Sequence, residues 1–275
     1  EVAYADDYRF HPDPILLYEI PEDGDFVLEI RDAIYRGRKD FVYRIALGEL
    51  PFVTSIFPMG ARVGTRPTVE VRGWNLPVDR LRPNTKDRGA GIYPVTIGKG
   101  VSNRVPFALD TLPEYLEAEP NSESGRAQKI LLPQIINGRI DRPGDRDVFR
   151  FEGRAGDEIV AEVYARRLNS PLDSALRLID ATGRELMAND DYEDRGAGLT
   201  THHADSRLSF KLPGDGTYYL SVGDTQHKGG AAYAYRLRAG FRRPDFELRT
   251  VPSSINVRVG ATRPFTVYAL RKDGF

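Results

Sequence analysis

At 275 residues the chain is too long for one small domain and predicts two or three. Its 39 Lys and Arg are balanced by 40 Asp and Glu, a net charge of -1, which excludes the basic surface that nucleic acid or an anionic membrane would attract. There are no cysteines, so disulfides and thiolate metal sites are excluded, and no run reaches the ~18 apolar residues that insert into a bilayer. The N-terminus has no signal-peptide pattern, and the chain reads as an excerpt of something longer.

Residues 13–48 and 205–240 repeat one another without a gap. Asp13, Leu16, Pro21, Asp23, Gly24, Leu28, Asp32, Tyr43 and Arg44 return as Asp205, Leu208, Pro213, Asp215, Gly216, Leu220, Asp224, Tyr235 and Arg236. Apolar residues alternate in both copies, as Leu16, Tyr18, Ile20 and as Leu208, Phe210, Leu212, which predicts strands with one buried face. The Asp-Gly at 23–24 and at 215–216 is the turn chemistry of two antiparallel strands, so each copy predicts a β-hairpin. Further strands precede the second copy, whereas the first has only Asp6-Asp7-Tyr8, which resembles Asp190-Asp191-Tyr192. Residues 1–49 therefore predict the closing half of a β-sandwich whose opening half is missing.

Residues 50–111 predict a separate small β domain, with strands over 51–58, 69–76, 92–97 and 105–109 and a loop rich in Pro, Arg, Asp and Gly over 77–91. Residues 112–241 hold a complete set of strands, at 146–152, 158–166, 174–180 and 184–188 before the repeat, with Ile159, Ala161, Val163 and Ala165 on one face. Residues 242–275 begin another β domain, with strands at 246–251, 255–259 and 264–270. Helical periodicity is nowhere sustained over ten residues, so the fold class is all-β.

The chemistry concentrates between Leu116 and Phe151. Period-two spacing turns Glu117, Glu119 and Asn121 to one side of an extended segment, and Asp145 and Asp147 follow where a strand begins. These are hard oxygen ligands of the kind Ca²⁺ gathers in sets of six to eight. The same residues equally fit a solvated charged linker with ordinary turn aspartates. A second acidic group, Asp173, Asn189, Asp190, Asp191 and Asp205, reads either as a second metal site or as Asx turns at strand ends. His202 and His203 are adjacent and would face opposite ways on a strand, which suits surface histidines better than zinc. No serine lies in a nucleophile elbow, and no phosphate-binding or dinucleotide glycine motif is present. Trp74 within Gly-Trp-Asn-Leu fits a cap on the small domain's core, or a sugar-stacking ring.

Glu117-Ala-Glu-Pro-Asn121, Gly138-Arg-Ile-Asp141, Gly144-Asp-Arg-Asp-Val-Phe149, Asp173-Ser-Ala-Leu-Arg-Leu-Ile-Asp180 with Gly183, and Asp215-Gly-Thr-Tyr-Tyr-Leu220 together resemble the bacterial pre-peptidase C-terminal (PPC) domain family, related to the collagen-binding domains of clostridial collagenases. The resemblance covers residues 114–240, and residues 1–48 look like the C-terminal half of a second member. Residues 51–110 are more weakly similar to the immunoglobulin-like TIG fold, through Ser-Ile-Phe-Pro58 and Val-Arg-Gly-Trp-Asn-Leu76. The resemblance implies a jelly-roll-like antiparallel β-sandwich beside a small immunoglobulin-like one, exported to the cell surface, periplasm or medium. It also implies calcium as the cofactor, held by Glu117, Glu119, Asn121, Asp145 and Asp147, with Ser122 standing where some members have a further Asn or Asp.

Three functions are expected on this basis. One is a non-catalytic, calcium-stabilised module array acting as spacer or adhesive, its partners being other domains of a longer chain. Another is a carbohydrate- or matrix-binding module in which Tyr164 and Tyr219, off the core parity of their strands, offer aromatic contacts to an extracellular protein or glycan. The third is an accessory region of a secreted peptidase whose catalytic domain lies elsewhere.

Overall fold

The computed structural model describes residues 1–98, 102–193, 204–252 and 255–275. His202 and His203 lie outside the described residues. The chain is all-β. A small unit is built from β1 (Phe52–Phe57), β2 (Gly60–Arg62), β3 (Val69–Trp74), β4 (Arg80–Leu81), β5 (Gly91–Val95) and β6 (Val105–Asp110). Its two three-stranded sheets, β1-β3-β4 and β2-β6-β5, enclose Val53, Ile56, Val69, Val71 and Phe107. Trp74 stacks on Phe52 at the end of this unit, ring centroids 5.4 Å apart.

The larger unit runs through β7 (Glu114–Leu116), β8 (Gln128–Lys129), β9 (Gln134–Arg139), β10 (Arg146–Gly153), β11 (Glu158–Tyr164), β12 (Ser174–Asp180), β13 (Glu185–Asn189), β14 (Arg207–Lys211), β15 (Gly216–Asp224) and β16 (Ala234–Phe241). These strands form two five-stranded sheets, β13-β12-β15-β10-β8 and β14-β11-β16-β9-β7. The alternation read from sequence sets the facing sides: Phe149, Phe151, Leu176, Leu178, Leu220 and Val222 of the first sheet meet Ile136, Ile159, Ala161, Val163, Leu208 and Leu237 of the second.

Three sequence expectations are corrected here. The segments on either side of Asp215-Gly216 are not a hairpin: β14 pairs with β11 in one sheet, and β15 pairs with β10 and β12 in the other. Alternation reports which side of a strand is buried, and a strand on either side of the core satisfies it equally. Second, residues 12–51 contain no strand, and Leu16, Ile20, Phe26, Leu28 and Ile30 are exposed. Their counterparts in 205–240 are held by β9, β10, β11 and β12, and nothing equivalent pairs with the first copy, so its backbone groups have no ladder to join. Third, the expected strand at 255–259 is absent, and β17 (Asp245–Val251) pairs antiparallel with β18 (Thr266–Lys272).

That last hairpin repeats the β1–β3 pairing of the small unit. Proline follows the first strand in each (Pro58, Pro252), and Arg62-Val-Gly64 and Thr65-Arg-Pro67 return as Arg258-Val-Gly260 and Thr262-Arg-Pro264. The turn is the same too: the amides of Thr65 and Ala261 donate to the carbonyls of Arg62 and Arg258, around Gly64 and Gly260 at φ 78° and 80°. Two extra residues between Pro252 and Arg258, and one more at Ala261, mask the match in an ungapped comparison.

The sandwich's two outer faces differ. On the β14-β11-β16-β9-β7 side, Leu168 and Ala234 complete the core of the small unit and Tyr164 packs against it. Arg236, almost fully buried there, donates to Glu114 and to Asn137 Oδ1. The backbones approach so closely that a Cβ on Gly60 would lie 2.2 Å from the Arg236 guanidinium. The β17–β18 hairpin joins the same side, where Asp273 pairs with Arg207.

Candidate metal centre

β7 runs parallel to β9, and the Glu117 amide extends that ladder by donating to the Asn137 carbonyl at 2.9 Å. This fixes the direction of the Glu117 side chain, whose Oε1 accepts the Arg139 amide at 2.6 Å. Asp147, the second residue of β10, points into the end of the core and has no solvent exposure. Between them stands the hydroxyl of Tyr235 from β16, 2.6 Å from Asp147 Oδ2 and 3.1 Å from Glu117 Oε2, its single proton serving one carboxylate at a time. Gly138 makes room for this contact, since a Cβ there would sit 2.3 Å from Tyr235 and 2.4 Å from Glu117 Oε2.

The segment after β7 folds over the site. Asn121 is held by its backbone, its carbonyl accepting the Val148 amide and its amide donating to Glu119 Oε2, both at 3.0 Å. Asp145 follows Gly144, whose φ of 77° suits the left-handed conformation of a tight turn, and accepts the Asp141 amide at 3.1 Å and the Ser122 hydroxyl at 3.2 Å. Carboxylate oxygens of Glu119, Asp145 and Asp147 all lie within 4.8 Å of one another. Among the described residues this is the only such group of three or more His, Cys, Asp or Glu side chains.

Bringing these acids together is costly. Burial, then the negative charge of Glu117, raises the Asp147 carboxyl to about 10, and burial raises Glu117 to about 7. The Asn121 side chain is fully buried with neither Oδ1 nor Nδ2 partnered, and Asp147 Oδ1 is likewise buried and unpartnered. Leaving such groups unpaired costs about 1–3 kcal/mol each. Two buried oxygens without a donor, Asn121 Oδ1 and Asp147 Oδ1, beside clustered carboxylates make a donor set that suits an oxygen-liganded cation.

Of the five predicted ligands, Glu119, Asp145 and Asp147 bring carboxylate oxygens together, Glu117 meets Asp147 at the Tyr235 hydroxyl, and Asn121 adjoins them through its backbone bonds to Val148 and Glu119. The structure does not assemble the second group. Asp205 is buried and accepts the amides of Ala165, Arg166 and Arg167 and the Arg167 guanidinium at 2.7 Å, so its oxygens cap a turn. Asp173 accepts the Thr225 hydroxyl at 2.8 Å and pairs with Arg166 at 3.4 Å, while Asp190 and Asp191 are exposed. Tyr164 and Tyr219 do not share a surface. Tyr164 lies on the outer side of β11 under the Arg167 guanidinium, 3.8 Å from the ring centroid, and Tyr219 on the outer side of β15 in the opposite sheet. Residue parity placed both rings outside the core without distinguishing which sheet each belongs to.

Sequence reasoning missed Tyr235, Gly138 and Asp141, whose charge acts on Glu117. The signals were present, since Tyr235 repeats as Tyr43 and Gly138 and Asp141 bracket the Gly-Arg-Ile-Asp motif.

The family model of the bacterial pre-peptidase C-terminal domain matches residues 145–224. A probable subtilase-type serine protease of Deinococcus radiodurans, DR_A0283, is 40% identical over 164 residues, which are 56% of this chain and 21% of that protein. The chain thus spans about a fifth of the length of this curated relative. Similar solved structures include the pre-peptidase C-terminal domain of a Bacillus anthracis collagenase, with 17% identity over 45% of this chain and 99% of that one and a TM-score of 0.32. Aeromonas hydrophila PliG, a periplasmic inhibitor of g-type lysozyme, is 8% identical over 46% and 98% of the two chains, with a TM-score of 0.29. The family match falls on β10 to β15 of the larger β-sandwich.

Proposed function

We propose that this chain is a non-catalytic, calcium-stabilised accessory region of an exported, subtilase-like protease. The buried, unpartnered side chain of Asn121, whose backbone amide donates to Glu119 of the carboxylate cluster, supports the ion most directly. Glu117, Glu119, Asn121, Asp145 and Asp147 would hold it. Calcium would supply positive charge that offsets the repulsion of the acids and pins the segment after β7 to the sandwich. The likeness to part of a subtilase-type protease supports the parent protein, with this region serving as spacer or folding aid beside a protease domain.

Extracellular modules often bind calcium only at about 10⁻⁴–10⁻³ M, so the test is thermal unfolding in millimolar calcium and in chelator. A higher melting temperature in calcium is expected, and identical curves would sink the proposal.

A second reading is favoured by one observation. Tyr219 lies half-buried on the outer side of its sheet beside Ser122, Ser124, Arg146 and Ser221, an aromatic ring among hydrogen-bonding groups. A glycan array and a collagen pull-down would reveal a carbohydrate- or matrix-binding surface. Binding lost in Tyr219→Ala would establish it, and silence on both would remove it.

A further inference from the structure

Residues Tyr8-Arg-Phe-His11 form a tight turn closed by two backbone hydrogen bonds, each 3.0 Å, between Tyr8 and His11. Arg9 is held in this turn at φ 61°, a left-handed conformation that a residue with a side chain rarely adopts and that persists only where surrounding contacts impose it. The contacts are on both flanking units. The Arg9 guanidinium donates to the carbonyl of Thr54 in the small unit and to the carbonyl of Asn169 in the sandwich. Asn169 is itself left-handed, at φ 64°, ending the 3-10 turn Arg166–Leu168 and aiming its carbonyl at the junction. The Arg9 side chain closes a cleft floored by Ile56, Met59, Val105, Leu168 and Ala234.

The neighbours of Arg9 divide in the same way. Tyr8 packs edge-on against Phe52 of the small unit, centroids 5.3 Å apart. Phe10 lies under the Arg166 guanidinium at 5.3 Å, and His11 Nε2 is 3.0 Å from Asn169 Oδ1, both on the sandwich. Four consecutive residues thus straddle one seam, Tyr8 on the small unit, Phe10 and His11 on the sandwich, and Arg9 on both. The exposed stretch that follows makes no comparable contact: most of residues 12–50 are exposed.

We propose that the cleft between the small unit and the sandwich is a receptor for an arginine-bearing turn, filled by Tyr8–His11, which clips the segment ahead of the small unit onto the sandwich behind it. The arginine is specific to this role. Its planar fork reaches two carbonyls on two units at once, while the apolar floor accepts its methylenes. A lysine, with one compact ammonium, would satisfy one carbonyl well and the other poorly. The residue after Tyr192, the counterpart of Tyr8, is Glu193, which cannot donate to carbonyls, so the clip belongs to this seam and is not a general property of the repeat.

The chain has no native cysteine, so pairs of spin labels can be placed in the full chain at Asp6→Cys and Lys129→Cys without interference. A single narrow distance distribution is expected, unchanged between calcium and chelator, which separates this proposal from that of the metal centre. Arg9→Ala should broaden the distribution several-fold and Arg9→Lys should broaden it partially. Asn169→Gly, which keeps the carbonyl and suits a left-handed φ but removes the Oδ1 contact with His11, should broaden it far less than Arg9→Ala does. A control pair inside the sandwich, Lys129→Cys with Arg177→Cys, reports folding and should stay narrow throughout. A distribution as narrow in Arg9→Ala as in the parent, or already broad in the parent, overturns the proposal.

Discussion

Replacing Asp147 by Asn should stabilise the sandwich without calcium, and calcium should raise the melting temperature of the parent far more than that of the variant. Asp147 is fully buried, and its carboxyl is raised from 3.8 to about 10 by burial and by Glu117. Without an ion, the folded protein must therefore keep this group protonated at pH 7. Binding a proton there, against an unfolded value of 3.8, costs about 4 kcal/mol as an upper bound. Asn is neutral, nearly isosteric, and keeps an oxygen for the Tyr235 hydroxyl, so it removes most of that cost. The gain corresponds to a rise in melting temperature on the order of 10 °C for a cooperative unit of this size. In calcium at about 100 times its Kd, the parent chain gains about 2.7 kcal/mol by mass action, and the variant, one anionic ligand short, forfeits most of it. Differential scanning calorimetry of both proteins, in chelator and in calcium, reads the narrowing of the gap directly. If the variant melts below the parent under both conditions, Asp147 is a structural acid and the reasoning fails.

Metal-free stability should also fall as pH rises. Because burial raises Glu117 from 4.5 to about 7, the folded state holds its proton more tightly than the unfolded one, so the full stability is present below pH 4.5 and is lost through pH 7, with Asp147 continuing the loss toward 10. Melting curves in chelator at pH 5.5 and pH 8 should show the higher temperature at pH 5.5, and calcium should flatten the difference; a metal-free protein more stable at pH 8 would contradict the assignment. Gly138→Ala places a methyl group against Tyr235 and Glu117, and should weaken calcium binding by calorimetric titration and cost about 1–3 kcal/mol, whereas an unchanged affinity would show that Glu117 lies outside the ion's reach. Asp205→Ala strands three amides and the Arg167 guanidinium and should cost about 3–5 kcal/mol equally in calcium and in chelator. A loss confined to calcium would return Asp205 to the metal ligands.

What the sequence revealed followed from local periodicity. The inward residues of β11 and β15, the ends of β10 and β12, and the convergence of Glu117 to Asp147 depend on side-chain parity and turn position, which short stretches encode. What it concealed depended on partner choice. Nothing in Leu208 to Val222 states that β14 and β15 join different sheets, because each would bury the same residues in a hairpin. Residues 13–48 carry the same alternation as 205–240 and remain unpaired, since a strand exists only where another supplies its hydrogen bonds. Asp205 and Asp147 looked alike as acids near turns. Only the surrounding donors, three amides and an arginine for one and a lone tyrosine hydroxyl for the other, assign them opposite roles.

The arrangement of β7 and β16 has a mechanical consequence. Both flank β9, one parallel and one antiparallel, so Glu114 at the start of β7 and Ala239 near the end of β16 lie beside Ile135 and Gln134 at the same end of the sheet. The chain therefore enters and leaves the sandwich at one end, and the domain hangs from the polypeptide as a side lobe. Tension transmitted along the chain would peel β7 and β16 from β9 one hydrogen bond at a time, beginning at that end. The acidic cluster lies at the other end, beside Arg139 and Tyr235, and would be the last part of the strand pair to bear load.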